Sequence, residues 1–139
     1  MKPTIIVVDN DLAILDQFND GLCDSYHVIL VKNGSEAREW FDIGLGDLVI
    51  TEVQSRCDNG LTMIEHVKSF DSSVPVIAFG NVRGQGEDRT VTDERSADVY
   101  TDKPIAMPYM RETIRTLIER SKRKSPQESY LLGRNESPN

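Results

Sequence analysis

Five short apolar strings, rich in β-branched residues, recur along this chain, with helix-period patterns between them. The strings are Ile5-Ile6-Val7-Val8, His27-Val28-Ile29-Leu30-Val31, Leu48-Val49-Ile50, Val74-Pro75-Val76-Ile77-Ala78-Phe79 and the shorter Asp98-Val99-Tyr100-Thr101. Unbroken runs of this kind suit strands buried on both faces, as in a parallel sheet. The intervening stripes are Leu12/Leu15/Phe18/Leu22, Ala37/Trp40/Phe41, Leu61/Ile64/Val67 with Met63 and Phe70, and Met110/Ile114/Leu117/Ile118. Each has the spacing of an amphipathic helix. Strand alternating with helix five times predicts an α/β domain, doubly wound around a five-stranded parallel sheet. Right-handed crossovers then cover both faces of the sheet with helices.

One of the five helices is poorly specified. Glu87 to Ser96, before the fifth strand, offers only Val91 as an apolar anchor and follows Gly84 and Gly86. So little apolar area predicts a short, weakly packed helix. From Ser121 the sequence turns polar, with Pro126, Gly133 and Pro138. At 139 residues the chain is expected to hold one domain, residues 1–120, followed by a polar tail or linker, 121–139.

Charge narrows the function. Sixteen Lys and Arg against 23 Asp and Glu give a net −7, the opposite of the basic footprint of a nucleic-acid module. Residues 120–139 hold five cations and two anions, net +3, leaving −10 on the rest. The cations Arg120, Lys122, Arg123 and Lys124 follow the last stripe, where they complement a helix C-terminus. No apolar run approaches the ~20 residues of a membrane span, and the N-terminus lacks a secretory pattern. The expectation is a cytoplasmic domain that binds neither membrane nor nucleic acid directly. Cys23 and Cys57 have no metal-ligand spacing. Cys57 is expected in the loop after strand three, near the site, with an exposed thiol as one reading but nothing except Arg56 beside it to lower its pKa, and His66 is expected on a helix surface.

Ligand sites of open α/β sheets lie at the carboxyl ends of the strands. The polar residues there are Asp9, Asn10 and Asp11 after strand one, Thr51-Glu52 after strand three, Gly80-Asn81 after strand four, and Asp102-Lys103-Pro104 after strand five. For Asp11 and Asp102 a helix N-cap or a solvated loop charge is the simpler role. Together the set brings acids from strands one and three toward a lysine from strand five.

In these motifs the sequence resembles the receiver domain of bacterial two-component response regulators, over about residues 3–120. The resemblance rests on Ile6-Val7-Val8-Asp9-Asn10-Asp11, on Asp47-Leu48-Val49-Ile50-Thr51-Glu52 with Gly60 eight residues on, on Val74-Pro75-Val76-Ile77-Ala78, and on Ala97-Asp98-Val99-Tyr100 leading to Lys103-Pro104. It implies a (βα)5 flavodoxin-like sandwich. It also implies a site in which an aspartate after strand three accepts a phosphoryl group from a histidine kinase. Here that position is Glu52. The second acid of the pair after strand one, a magnesium ligand in the family, is Asn10. The hydroxyl residue after strand four is Gly80, and Ser55-Arg56 replaces the usual Met-Pro. Asp9 and Lys103 stand as the family has them, and Tyr100 occupies the aromatic switch position.

These departures bear on one reaction. Phosphoryl transfer depends on positioning and charge neutralisation. The extra methylene of Glu52 moves its carboxylate roughly 1.5 Å, one C–C bond, and a misplacement of about 1 Å can cost about a hundredfold in rate. Asn10 removes a hard anionic ligand, and Gly80 removes a donor. The expectation is a degenerate receiver that is not an enzyme and not an efficient phospho-acceptor. No cofactor is expected beyond weak magnesium drawing on Asp9, Glu52 and Gln54. Glu52 is expected to reach Lys103 in a water-poor pocket, leaving the domain either locked active or a neutral scaffold. Its partners by resemblance are an effector domain, a regulator or a sensor kinase, with a homodimer through the fourth and fifth helices as one mode. The rival reading is a small phosphatase of the haloacid-dehalogenase type, with Asp9 as nucleophile and Asp11 as general acid. Gly80 and the lack of a second acidic pair weigh against it.

Overall fold

In the computed structural model, residues 2–58, 60–80 and 96–130 are described, with side chains to residue 122. The elements are β1 (Thr4–Val8), α1 (Leu12–Leu22), β2 (His27–Val31), α2 (Gly34–Asp42), β3 (Leu48–Glu52), α3 (Met63–Phe70), β4 (Val76–Gly80), β5 (Val99–Asp102) and a last helix, here α4 (Met107–Tyr130). The expected weak helix over 87–96 lies outside the described residues apart from Ser96. The five strands form one parallel sheet in the order β2-β1-β3-β4-β5. The order reverses between β1 and β3, and such a switch point opens a crevice at the carboxyl ends of those strands.

The apolar strings are continuous because alternate residues feed two cores. Ile5, Val7, Leu48, Ile50, Ile77 and Phe79 pack under α1 and α4, against Leu15, Phe18, Leu22, Met110 and Ile114. Ile6, Val8, Val49, Val76 and Ala78 face α2 and α3, against Ala37, Phe41, Met63 and Val67. The edge strand β2 departs from the expectation of burial on both faces, since His27 and Leu30 are exposed there. Local signals fix the helix starts. Asp11 caps α1 by accepting from Ala13 N, Asn33 caps α2 by accepting from Glu36 N, and Thr62 and Glu65 form a capping box on α3, contacts that satisfy backbone donors left open at a helix start.

Three expectations are corrected. Leu12 belongs to the α1 stripe by spacing yet is 62% exposed, because it opens the helix beyond the edge of the core. Phe70, at the end of α3, is likewise exposed, and its ring rests edge-on against Phe41. His66 is not surface. It is buried between α2 and α3, with Nε2 2.8 Å from Asp42 Oδ1. The polar stretch from Ser121 begins as a continuation of α4, whose backbone stays helical to Tyr130.

Candidate functional site

Three strands bring the charged groups together. β1 ends at Val8 and delivers Asp9, which is 1% exposed. β3 ends on Glu52, opposite Phe79 of β4. β5 ends on Asp102, opposite Gly80, and Lys103 follows at a cis Lys103–Pro104 bond. Lys103 Nζ lies 3.2 Å from Asp9 Oδ2 and 3.4 Å from Glu52 Oε2. It also sits 5.2 Å from the centroid of the Phe79 ring, within cation–π range. The Glu52–Lys103 pair read from the sequence is therefore present. The pocket is drier on one side than expected and wetter on the other: the Asp9 side chain has no exposure, whereas those of Lys103 and Glu52 keep about a third.

Asp9 is divided between two tasks. Its Oδ1 accepts a hydrogen bond from Asp11 N at 2.8 Å. Its Oδ2 is fully buried and has no well-angled hydrogen bond, so the Lys103 ammonium at 3.2 Å is its compensation. Burial alone would lower the Lys103 pKa. Contact with the Asp9 carboxylate, reinforced by Glu52, outweighs it and leaves the pKa raised. Asn10, Asp11 and Gln54 are exposed. The Asp11 carboxylate accepts from Ala13 N and caps α1, the simpler role expected of it. Among the described residues, no group of three or more His, Cys, Asp or Glu could hold a metal ion.

The surrounding residues fall into place less uniformly. Tyr100 is half-buried against the α2–α3 core, and its hydroxyl accepts from Ala97 N at 3.2 Å. Cys57 is buried, with Sγ 3.5 Å from Met63 Sδ, and burial pushes its thiol up to about 11. Burial rules out the exposed-thiol reading, and the raised pKa disfavours the thiolate, which is the reactive form. Trp40 is 42% exposed.

Gly80 is more than a missing hydroxyl. Its φ is +126°, a backbone state that side-chain-bearing residues rarely adopt, while a Cβ there would meet nothing within 4 Å. Space is available and conformation is not. Replacing it with the family's residue, Gly80→Thr, is therefore expected to cost about 1–3 kcal/mol of backbone strain. Denaturant unfolding measures this, and an unchanged stability would mean the backbone at 80 relaxes freely.

Sequence reading missed two polar contacts. Lys68 is buried and donates to Val74 O at 2.8 Å and Ser72 O at 3.1 Å, with Asp98 Oδ2 2.8 Å away. Asp98 Oδ2 also accepts from Val76 N, so this cluster ties the end of α3 to the starts of β4 and β5. The other is Asp42–His66. The Lys68–Asp98 and Asp42–His66 pairs each join residues more than 20 positions apart, and neither leaves a periodic signal.

Fold and site together define a doubly wound α/β domain with two carboxylates and a lysine converging at the switch-point end of its sheet. The chain belongs to the response regulator receiver domain family, whose model matches residues 5–115. Receiver domains of this family are modules of two-component signalling. Among curated relatives, the response regulator MprA of Mycobacterium bovis (strain BCG / Pasteur 1173P2) is 26% identical over 133 residues, covering 95% of this chain and 57% of the relative. The chain thus spans little more than half the length of that relative. Among solved structures, the signal receiver domain of an HD domain-containing protein from Pseudomonas fluorescens Pf-5 superposes with a TM-score of 0.75 at 19% identity, over 89% of this chain and 92% of that one. NtrX from Brucella abortus gives a TM-score of 0.77 at 23% identity, over 93% of this chain and 30% of that one. These two show a shared fold. No helix among the described residues is long and apolar enough to cross a membrane.

Proposed function

We propose that this chain is a degenerate receiver that works in the cytoplasm through protein–protein contact and does not take up a phosphoryl group. One observation carries the reading. Glu52 stands at the acceptor position, with its carboxylate 3.4 Å from Lys103. Asn10 and Gly80 support it, since both replace groups that would ligate the metal or grip the phosphoryl oxygens. All three changes weaken the positioning and charge neutralisation on which the transfer depends. The Glu52–Lys103 contact places a standing negative charge where a phosphorylated receiver would carry one, although a carboxylate lacks the phosphoryl group's three oxygens. The partner class we propose is an effector domain, a regulator or a sensor kinase, with Tyr100 as the aromatic reporter of the pocket.

The test is intact-mass spectrometry after incubation with acetyl phosphate and magnesium. The expected result is no added mass. A stoichiometric gain of one phosphoryl group on Glu52 would overturn the reading.

A further inference from the structure

The receiver family implies a divalent cation in this pocket, and the residues present do not fit one. Among the described residues two carboxylates, Asp9 and Glu52, converge here, and no group of three or more potential ligands of the His, Cys, Asp or Glu type forms. Asn10, in place of an anionic ligand, is exposed. A small hard cation of this kind is held by carboxylate oxygens, and one oxygen of each carboxylate already faces the lysine. Asp9 Oδ2 and Glu52 Oε2 flank Lys103 Nζ at 3.2 and 3.4 Å.

We propose that the Lys103 ammonium is the resident cation of this pocket, standing between Asp9 and Glu52 where a divalent ion would have to bind. The inference rests on the degenerate-receiver reading and adds how the site is regulated: its charge balance is set by the chain itself and does not respond to magnesium. Three observations support it. Asp9 Oδ2 is a fully buried carboxylate oxygen without a well-angled hydrogen bond, a costly state unless a cation compensates it. The ammonium that does so also rests over the Phe79 ring, 5.2 Å from its centroid. The ring belongs to a fully buried side chain in the core beneath, so the cation has a fixed seat. A divalent ion on the same two oxygens would meet that ammonium at contact range, and with Asn10 in place of a further acid the pocket lacks the negative charge to offset both cations. The balance has a corollary. Without the ammonium, two carboxylates would face each other across the pocket, one of them buried, and the vacated position would become a divalent-cation site.

The experiment is thermal unfolding of the full chain and of Lys103→Met, each in 10 mM magnesium chloride and in sodium chloride of equal ionic strength. For wild type the midpoint is expected to move by less than about 1 °C. For Lys103→Met, magnesium is expected to raise it by about 3–6 °C, the shift that follows when a ligand binds only the folded state at several times its dissociation constant. Adding Asp9→Asn to Lys103→Met should abolish that rise. A variant that gains no more from magnesium than wild type overturns the inference. If Lys103→Met folds only with magnesium, the inference is supported. If it folds in neither salt, calorimetric titration of wild type with manganese decides, with stoichiometric binding at micromolar metal overturning the inference and no binding supporting it. A wild type that takes up no phosphoryl group and is nonetheless stabilised by magnesium would defeat this inference and leave the degenerate-receiver reading standing.

Discussion

Phe79→Ala is expected to destabilise the domain by about 3–5 kcal/mol, the range for truncating a large buried aromatic. Phe79 has no exposed surface, and its ring packs tilted against Phe18 with centroids 5.6 Å apart. It belongs to the core under α1 and α4, whereas its neighbours on β4 divide between the two cores: Ile77 goes with it, and Val76 and Ala78 face the other side. Part of the loss would come from transfer of the ring to water and part from the void left between β4 and α1. Phe79→Leu separates packing from the ring's contact with Lys103. Leucine restores much of the volume, and the penalty for a hydrophobic swap near constant volume is usually under about 1.5 kcal/mol. It also removes the aromatic face beneath the ammonium, worth about 0.5–1 kcal/mol where the cation is partly exposed. Denaturant unfolding followed by the fluorescence of Trp40, the one tryptophan, gives both values. A loss below about 1.5 kcal/mol for Phe79→Ala would mean that β4 presents its other face to this core.

How much of this was legible in the sequence follows from what leaves a periodic trace. The strands were readable because β1, β3 and β4 are buried on both faces, so Ile5 to Val8 and Val76 to Phe79 show no polar interruption. Of the α4 stripe, Met110, Ile114, Leu117 and Ile118 are all buried, as its spacing required. The site was legible for a different reason: in this topology the carboxyl ends of the strands meet, so Asp9, Glu52 and Lys103 could be collected without knowing side-chain contacts. What periodicity cannot encode is the end of a stripe. Leu12 has the spacing of a core residue and lies beyond the core, because the capping turn at Asp11 fixes where the helix begins and Leu12 is its first residue.

Long-range polar pairing was the other blind spot. His66 looks like a surface residue on a helix with Glu65 and Lys68 beside it. Its burial depends on α2 lying against α3, and its partner Asp42 is 24 residues away. Lys68 is a lysine on an amphipathic helix, for which solvent is the default. It is buried because two backbone carbonyls, Ser72 O and Val74 O, and the Asp98 carboxylate converge on its ammonium. The charge set at the switch point was readable, but its division of labour was not. Sequence reading brought Asp9 and Glu52 toward Lys103 and paired the lysine with Glu52, whereas its closer contact is with the fully buried Asp9.

That division leads to a measurable asymmetry. Breaking a buried ion pair by removing one partner costs about 3–5 kcal/mol, whereas an exposed pair is worth about 0–1 kcal/mol. Lys103 takes part in one contact of each kind. Its partner Asp9 has no exposed side-chain surface, while Glu52 keeps 34% and Lys103 itself 33%. Discounting the buried limit for the exposure of the ammonium, Lys103→Met is expected to cost about 2–3 kcal/mol in metal-free buffer, most of it from Asp9. Glu52→Gln should cost under about 1 kcal/mol. Two double-mutant cycles apportion the loss. The cycle with Asp9→Asn should return a coupling of about 2 kcal/mol, because the isosteric amide keeps the oxygen that accepts from Asp11 N and removes the buried charge. The cycle with Glu52→Gln should return less than half of that. The pH dependence has a definite sign. The folded-state pKa of Lys103 is raised, so its contribution is fully present below the unfolded lysine value of about 10.4 and is lost as pH rises through the folded value. Wild type should therefore lose its advantage over Lys103→Met only in strongly alkaline buffer and keep it unchanged between pH 7 and 9. A zero coupling between Lys103 and Asp9 would leave the buried carboxylate uncompensated by the lysine, and a coupling carried mainly by Glu52 would restore the simpler two-residue pair.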